Sequence, residues 1–269
     1  MIVTQDYGWS QLVPRRGMSW PGATDWAMDQ ARLAGFDGWE PYLNAAEDAR
    51  RIGQLAASRG LAMPSVFVSG DLIGEDGGDI DRMVAAASAA VPFGAGLVSV
   101  YPAPLDGAEK SDAQLDRQAQ NLSTLAQRMR MAGLRVLYHP EEPEMRRTAH
   151  EVHHVLGHTD PALIGFCLDP DTVWRGCGRT TQAVLDVIGL YGDRVAAVHI
   201  RQSQGGIWAE VVGPGDLDYP AIAAALKAKG CKPLLVVEHA YEDGTPETRD
   251  PVAAHQQSLT YVRATLGAG

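Results

Sequence analysis

The stretch LRVLYHPEEPEMRRTAHEVHHVLGHTDPALIGFCLD, residues 134–169, decides the fold. Two short runs of apolar, β-branched and aromatic residues, Leu134 to His139 and Ile164 to Asp169, flank a segment of helical period, EMRRTAHEVHHVLG. Strand, helix and strand in that order predict parallel strands joined by a crossover helix. Both strands end on a group capable of chemistry, an imidazole and a carboxylate.

The same alternation runs outward to both ends of the chain. Further strands are expected at Ile2 to Tyr7, Phe36 to Glu40, Leu61 to Val68, Leu97 to Tyr101, Val195 to Ile200 and Leu234 to Glu238. Helical segments such as EDARRIGQLAASRG, DAQLDRQAQNLSTLAQRMRMAG and YPAIAAALKAKG lie between them, and Gly35, Gly60, Gly133, Gly157 and Gly230 stop helices and turn the chain. Eight strand–helix pairs without a linker or low-complexity run predict one α/β domain over residues 1–269, a (β/α)8 TIM barrel with its chemistry at the strand C-termini. A doubly wound open sheet is the alternative. No G-x-G-x-x-G follows the first strand to support it.

Composition agrees with an enzyme-sized globular domain: 269 residues, 45% hydrophobic and 21% charged. The formal charge of -10, from 33 acidic and 23 basic residues, leaves no electrostatic footprint for nucleic acid or anionic lipid. Cys167, Cys177 and Cys231 form no paired framework and no C-x-x-C, which points to a reducing compartment. The N-terminus, MIVTQDYGWSQ, lacks a basic region followed by an apolar run, and no run is apolar enough for a membrane span, so a cytoplasmic protein is expected.

The opening stretch also contains a competing signal. His150, Glu151, His154, Gly157 and Asp160 match H-E-x-x-H-x-x-G-x-x-D, the spacing of one class of zinc proteases. That class needs a methionine turn downstream, and all eight methionines lie at or before Met145. In a barrel, moreover, this helix packs outside the sheet, away from the rim. The segment therefore reads as a half-solvated outer helix.

Chemistry gathers instead at the strand ends: Glu40, His139, Asp169, His199 and Glu238. Carboxylates and imidazoles are costly at the end of an apolar strand unless paired or holding a cation. A mixed O/N set of this kind suits Mn, Mg, Co or Zn.

In order and spacing, AGFDGWEPY, YHPEEPEMR, GFCLDPDTVWRG, VHIRQS, GPGDLDYPAIAAALKAKG and LLVVEH resemble the xylose isomerase-like barrel superfamily over nearly the whole chain. That superfamily includes sugar isomerases and epimerases, inosose dehydratases and enzymes acting on 3-keto-glycosides, besides an endonuclease branch that the acidic charge disfavours here. The resemblance implies metal ligands at Asp169, His199 and Glu238, with Glu144 of YHPEEPE as the fourth. Glu141, which shares the inward strand parity of His139, is the alternative. The implied cofactor is a divalent ion, Mn before Mg, Co or Zn.

The implied reaction is isomerisation or epimerisation of a ketose, inosose or keto-sugar. A proton α to the carbonyl is abstracted to give a metal-stabilised enediolate, with His139, Glu238 and Glu144 as catalytic groups. In tagatose-type epimerases a glutamate stands where this chain has His139. That exchange brings in a lyase or dehydratase, eliminating water or an aglycone from a keto-sugar, as the second reading, and a non-catalytic sugar-binding protein as a third. Arg201, with Gln202 and Ser203, offers donors to the sugar. Trp174, Trp208, Trp9, Tyr101 and Glu40 are expected around the pocket, and a homo-oligomer is compatible with barrels of this kind.

Overall fold

Val136, Leu137 and Tyr138 stand in parallel register with Ile164, Gly165 and Phe166, as the crossover between them requires. The computed structural model describes residues 1–105 and 109–267. Its strands are β1 (Ile2–Gln5), β2 (Gly38–Glu40), β3 (Ser65–Gly70), β4 (Leu97–Pro102), β5 (Arg135–Tyr138), β6 (Ile164–Leu168), β7 (Val195–Ile200), a small hairpin of β8 (Ser203–Gln204) and β9 (Ile207–Trp208), and β10 (Leu234–Val237). The helices are α1 (Asp6–Arg15), α2 (Thr24–Ala34), α3 (Ala46–Ser58), α4 (Ile80–Ser88), α5 (Asp112–Met131), α6 (Glu142–Gly157), α7 (Pro170–Gly176), α8 (Thr181–Tyr191), α9 (Tyr219–Ala228) and α10 (Pro251–Thr265).

Eight parallel strands run in the order β2-β1-β10-β7-β6-β5-β4-β3. The two edges meet through Trp39 N to Ala62 O at 2.8 Å, Leu43 N to Phe67 O at 2.8 Å and Phe67 N to Pro41 O at 2.8 Å. The sheet is thus a barrel, and at its seam there is room for backbone only. A Cβ on Gly38 would stand 2.4 Å from Ala62 O.

Side chains alternate in and out along each strand, so the interior fills in layers. Leu137, Cys167 and Ala197 are fully buried in one layer. His139, Asp169 and His199 come two residues later, His199 within β7 and the other two just past the ends of β5 and β6, and form the rim above it.

Strand ends differ from the expected boundaries at most strands, and three of the differences have a clear local cause. The first strand stops at Gln5, because Asp6 opens α1 and the Gln5 side chain accepts from Tyr7 N to cap it. The third strand covers Ser65–Gly70 rather than Leu61 to Val68, since Pro64 has no N–H to give the ladder. After β6, Asp169 and Pro170 start α7 at once, the carboxylate accepting from Asp171 N at 2.8 Å and Thr172 N at 3.3 Å.

Trp9 of α1 stacks on His255 of α10 with ring centroids 4.2 Å apart, and His239 packs against His255 at a tilt, 4.1 Å between centroids. Burial lowers His255 from its usual 6.5 to about 4, so the folded protein holds it neutral. A depressed imidazole leaves stability untouched above pH 6.5. It costs stability as pH falls from 6.5 to about 4, because only the unfolded chain takes up the proton. At about 1.4 kcal/mol per pH unit this amounts to ~3 kcal/mol. Denaturant titrations of His255→Phe across that range should show a flatter acid limb than the wild type. Identical limbs would refute the assignment.

Candidate active site

The protease-like helix resolves first. His150 Nε2 stands 3.7 Å from Asp112, His154 Nε2 is 2.9 Å from Asp116, and Glu151 is engaged by Lys110 and Gln118, each at 2.8 Å. The motif's groups are spread over separate partners on α5 and its flank, outside the barrel. The helix also breaks at Arg146–Ala149, where Arg147, Thr148 and Ala149 adopt left-handed backbone.

At the C-terminal rim opens a cavity of about 790 Å³, a size suited to a small molecule. Glu141, Arg201, Glu238, Asp6, Tyr101 and Trp208 line it. Its centre is Arg201, buried at the end of β7. Nε donates to Asp169 Oδ2 at 2.7 Å, and Nη2 bonds the same carboxylate and reaches Glu141 Oε2 at 3.3 Å. Nη1 stands 3.6 Å from Glu238 Oε1. One guanidinium therefore gathers three carboxylates, which its rigid fork is built to do.

Behind this layer His199 hydrogen-bonds Glu238 Oε2 through Nδ1 at 2.6 Å, and its Nε2 stands 2.9 Å from Glu40 Oε2. His139 Nε2 lies 3.2 Å from Glu141 Oε1. Ligand-capable atoms of His139, Asp169 and Glu238 all fall within 4.8 Å of one another.

The charge state follows from these contacts. Burial works against ionising Glu238, yet Arg201 and the His199 hydrogen bond hold it down to about 2. Glu141 is likewise held low against burial by Arg201 and His139. His139 rises to about 10 against burial, through Cys167 and the bond to Glu141, and His199 rises through Cys167, Glu40 and Glu238. Asp6 is pushed up to about 8 by burial, with Glu40 and Glu238 adding to it, although Tyr42 N–H donates to its Oδ2 at 3.0 Å. The raised imidazoles report the acidic groups around them, and the lowered Glu141 and Glu238 report Arg201 and the imidazoles beside them.

These residues fit a divalent cation. The donors are oxygen and imidazole nitrogen within ligand spacing, and the buried negative charge exceeds what one guanidinium neutralises. Both Glu40 oxygens, His139 Nδ1 and His199 Nε2 are, moreover, buried without a hydrogen-bond partner.

Several expected residues fall elsewhere. Glu144 is the third residue of α6, where Oε2 accepts from Glu141 N at 3.0 Å, and it lines a separate cavity with Lys110, His150 and Glu151. Glu141 takes the place at the rim, because the chain enters α6 directly after His139 and the third helical residue turns back to cap it. His199 stays in the cluster, its Nδ1 2.6 Å from Glu238 Oε2, and His139 joins it, with donors that converge with Asp169 and Glu238.

Trp9 sits in the core, 1% exposed, with Nε1 donating to Thr4 Oγ1 at 3.1 Å. Trp174 backs the rim, packed under Arg175 and Arg179, while Trp208 and Tyr101 do line the cavity. Glu40 lies beneath the cavity, fully buried. Gln202 and Ser203 brace the loop, through Gly213 O at 2.7 Å and Asp216 Oδ2 at 2.9 Å, and are not free for a ligand.

Sequence reasoning missed Asp6, Tyr7, Arg175 and Glu242. Tyr7 OH donates to Glu242 Oε1 at 2.6 Å, and Arg175 stacks 4.0 Å from the Trp208 ring centroid. Asp6 had a signal: it is the first polar acid after strand one, hidden by extending that strand to Tyr7.

No curated protein sequence matches the chain. Solved structures do. D-psicose 3-epimerase from Clostridium cellulolyticum H10 superimposes with TM-score 0.76 at 14% identity, covering 98% of this chain and 99% of that one. A sugar phosphate isomerase/epimerase from Parabacteroides distasonis ATCC 8503 gives 0.73 at 15% over 98% and 93%, and 3-keto-D-glucoside 4-epimerase from E. coli gives 0.70 at 17% over 98% of each. At such identities the likeness is one of fold. Residues 28–265 match the xylose isomerase-like TIM barrel family, and this chain belongs to it.

Proposed function

We propose that the protein is a divalent-cation-dependent sugar isomerase/epimerase acting on a small ketose or keto-sugar. The observation that carries this is the pair Glu141 and Glu238, both facing the cavity and held on two arms of Arg201. A sugar carbon above Arg201 has a carboxylate at either side. Glu141, ionised, removes the proton α to the carbonyl and passes it to solvent; a proton taken up from solvent by Glu238 is delivered to the carbon, while Arg201 donates to the substrate oxygens. On this reading Glu141, two residues after His139, supplies the second carboxylate. Three solved structures of the same fold, named as epimerases or isomerases of sugars, support the substrate class.

A bound divalent cation would supply Lewis acidity toward the sugar's carbonyl oxygen. Asp169, Glu238 and His139 are proposed to hold it, with Glu141 adjoining and His199 orienting Glu238. Manganese is the first candidate. In equilibrium dialysis with Mn2+, Asp169→Ala and Glu238→Ala should lose binding. His199→Ala should weaken it by about 10–100-fold, the usual effect of losing an orienting partner, and Glu144→Ala should leave it unchanged. Full occupancy in Asp169→Ala would sink the ligand assignment.

Product analysis on ketohexoses and 3-keto-glycosides separates the proposal from the elimination chemistry that the sequence also allows. A product of equal mass supports it. An enone with released water or aglycone contradicts it.

A further inference from the structure

The proposed proton transfer leaves one buried group unused. Cys167 lies on β6 opposite Ala197 of β7, one layer beneath the rim, and is fully buried. Ligand-capable atoms of His139, Cys167 and His199 all lie within 4.8 Å of one another. Each imidazole has one nitrogen engaged at the rim, His139 Nε2 with Glu141 and His199 Nδ1 with Glu238. The other nitrogen of each, His139 Nδ1 and His199 Nε2, is buried and has no hydrogen-bond partner. Glu40, 2.9 Å from His199 Nε2, has two unpartnered oxygens as well.

Orphaned polar atoms at this depth are expensive, and three neighbouring residues share the deficit. We propose that His139, Cys167 and His199 form a second cation site beneath the rim, taking a thiophilic divalent ion such as Zn2+. One thiolate and two imidazoles suit zinc, which accepts an exogenous ligand in its fourth position. A thiolate discriminates against Mg2+ and Mn2+, which the carboxylates of the rim prefer. Two stacked layers of one barrel would then sort cations by softness. Binding forms the sulfur–metal bond and releases the thiol proton to solvent, with no change in oxidation state. The site shares His139 with the rim through the two nitrogens of its ring, and it needs no turnover of a sugar there.

The test uses the chelator-treated full chain titrated with Cd2+ alone. A thiolate-to-cadmium charge-transfer band in the ultraviolet should saturate at one equivalent and persist in excess Mg2+. Cys167→Ser should abolish the band and weaken Cd2+ binding by more than about tenfold, the least that loss of an outer partner costs. The double variant Cys177→Ser/Cys231→Ser changes two half-buried thiols at the core's edge, whose bonds to Met145 O and Gly192 O a hydroxyl can also make, and leaves Cys167 as the sole thiol; it should keep the band in full. Asp169→Asn should keep it too. A band surviving in Cys167→Ser, or absent from the double variant, overturns the proposal. Absence from a wild type that still binds Mn2+ overturns this site and leaves the rim assignment standing.

Discussion

Glu141→Gln should lower turnover of a keto-sugar by about 10²–10⁴-fold, the range for loss of a proton-transfer group, while Glu144→Gln stays near the wild-type rate. The two residues are three apart and differ only in where the chain leaves them. Glu141 faces the cavity between His139 and Arg201, whereas Glu144 turns back on the first turn of α6 to accept from Glu141 N. Glutamine at 144 still closes that capping arrangement, so the helix start survives the exchange. Steady-state rates of the two variants decide the matter. A large loss in Glu144→Gln with little in Glu141→Gln would reverse the assignment.

Arg201→Ala should be the most damaging change to stability in the site, by about 3–5 kcal/mol in denaturant titration. It leaves Asp169, Glu141 and Glu238 buried together with their shared counter-charge removed. The pH dependence makes the same point. With its carboxyl held from 4.5 down to about 2, Glu238 contributes stability that is complete above pH 4.5 and disappears as pH falls toward 2. That contribution, ~3 kcal/mol at 1.4 kcal/mol per unit, depends first on Arg201 and should shrink in the variant. Saturating Mn2+ should restore part of the loss, since a ligand that binds only the folded state stabilises it by mass action. Arg201→Lys keeps the charge but not the fork and should fall between. An alanine variant as stable as the wild type would show that the ion cluster contributes nothing.

Most of the fold was legible because period and punctuation agree along the chain. LRVLYHP and IGFCLD could only be buried strands once EMRRTAHEVHHVLG lay between them, and the same grammar repeats to both termini. Eight such units close. What escaped were the short elements whose signals are local hydrogen bonds, such as α1, capped by Gln5, and α7, capped by Asp169.

In the site, strand parity correctly brought Glu40, His139, Asp169, His199 and Glu238 to one end of the barrel. Parity also offered Glu141, over which the resemblance favoured Glu144. The resemblance could not register that a proline-started helix begins at Glu142 and rotates residue 144 away. Trp9 was unreadable for a related reason. An aromatic just after a strand is either wall or core, and only the stacking on His255 makes it core.

The central claim is that Glu141 and Glu238 exchange a proton with carbon on a sugar held over Arg201. Its most direct test is mass spectrometry of keto-sugars recovered from the Mn2+-supplemented protein in deuterium oxide. The account predicts an isomer or epimer carrying one solvent deuterium at the reacting carbon, with incorporation lost in Glu141→Gln. Product formed without deuterium, or incorporation undiminished in Glu141→Gln, would contradict it.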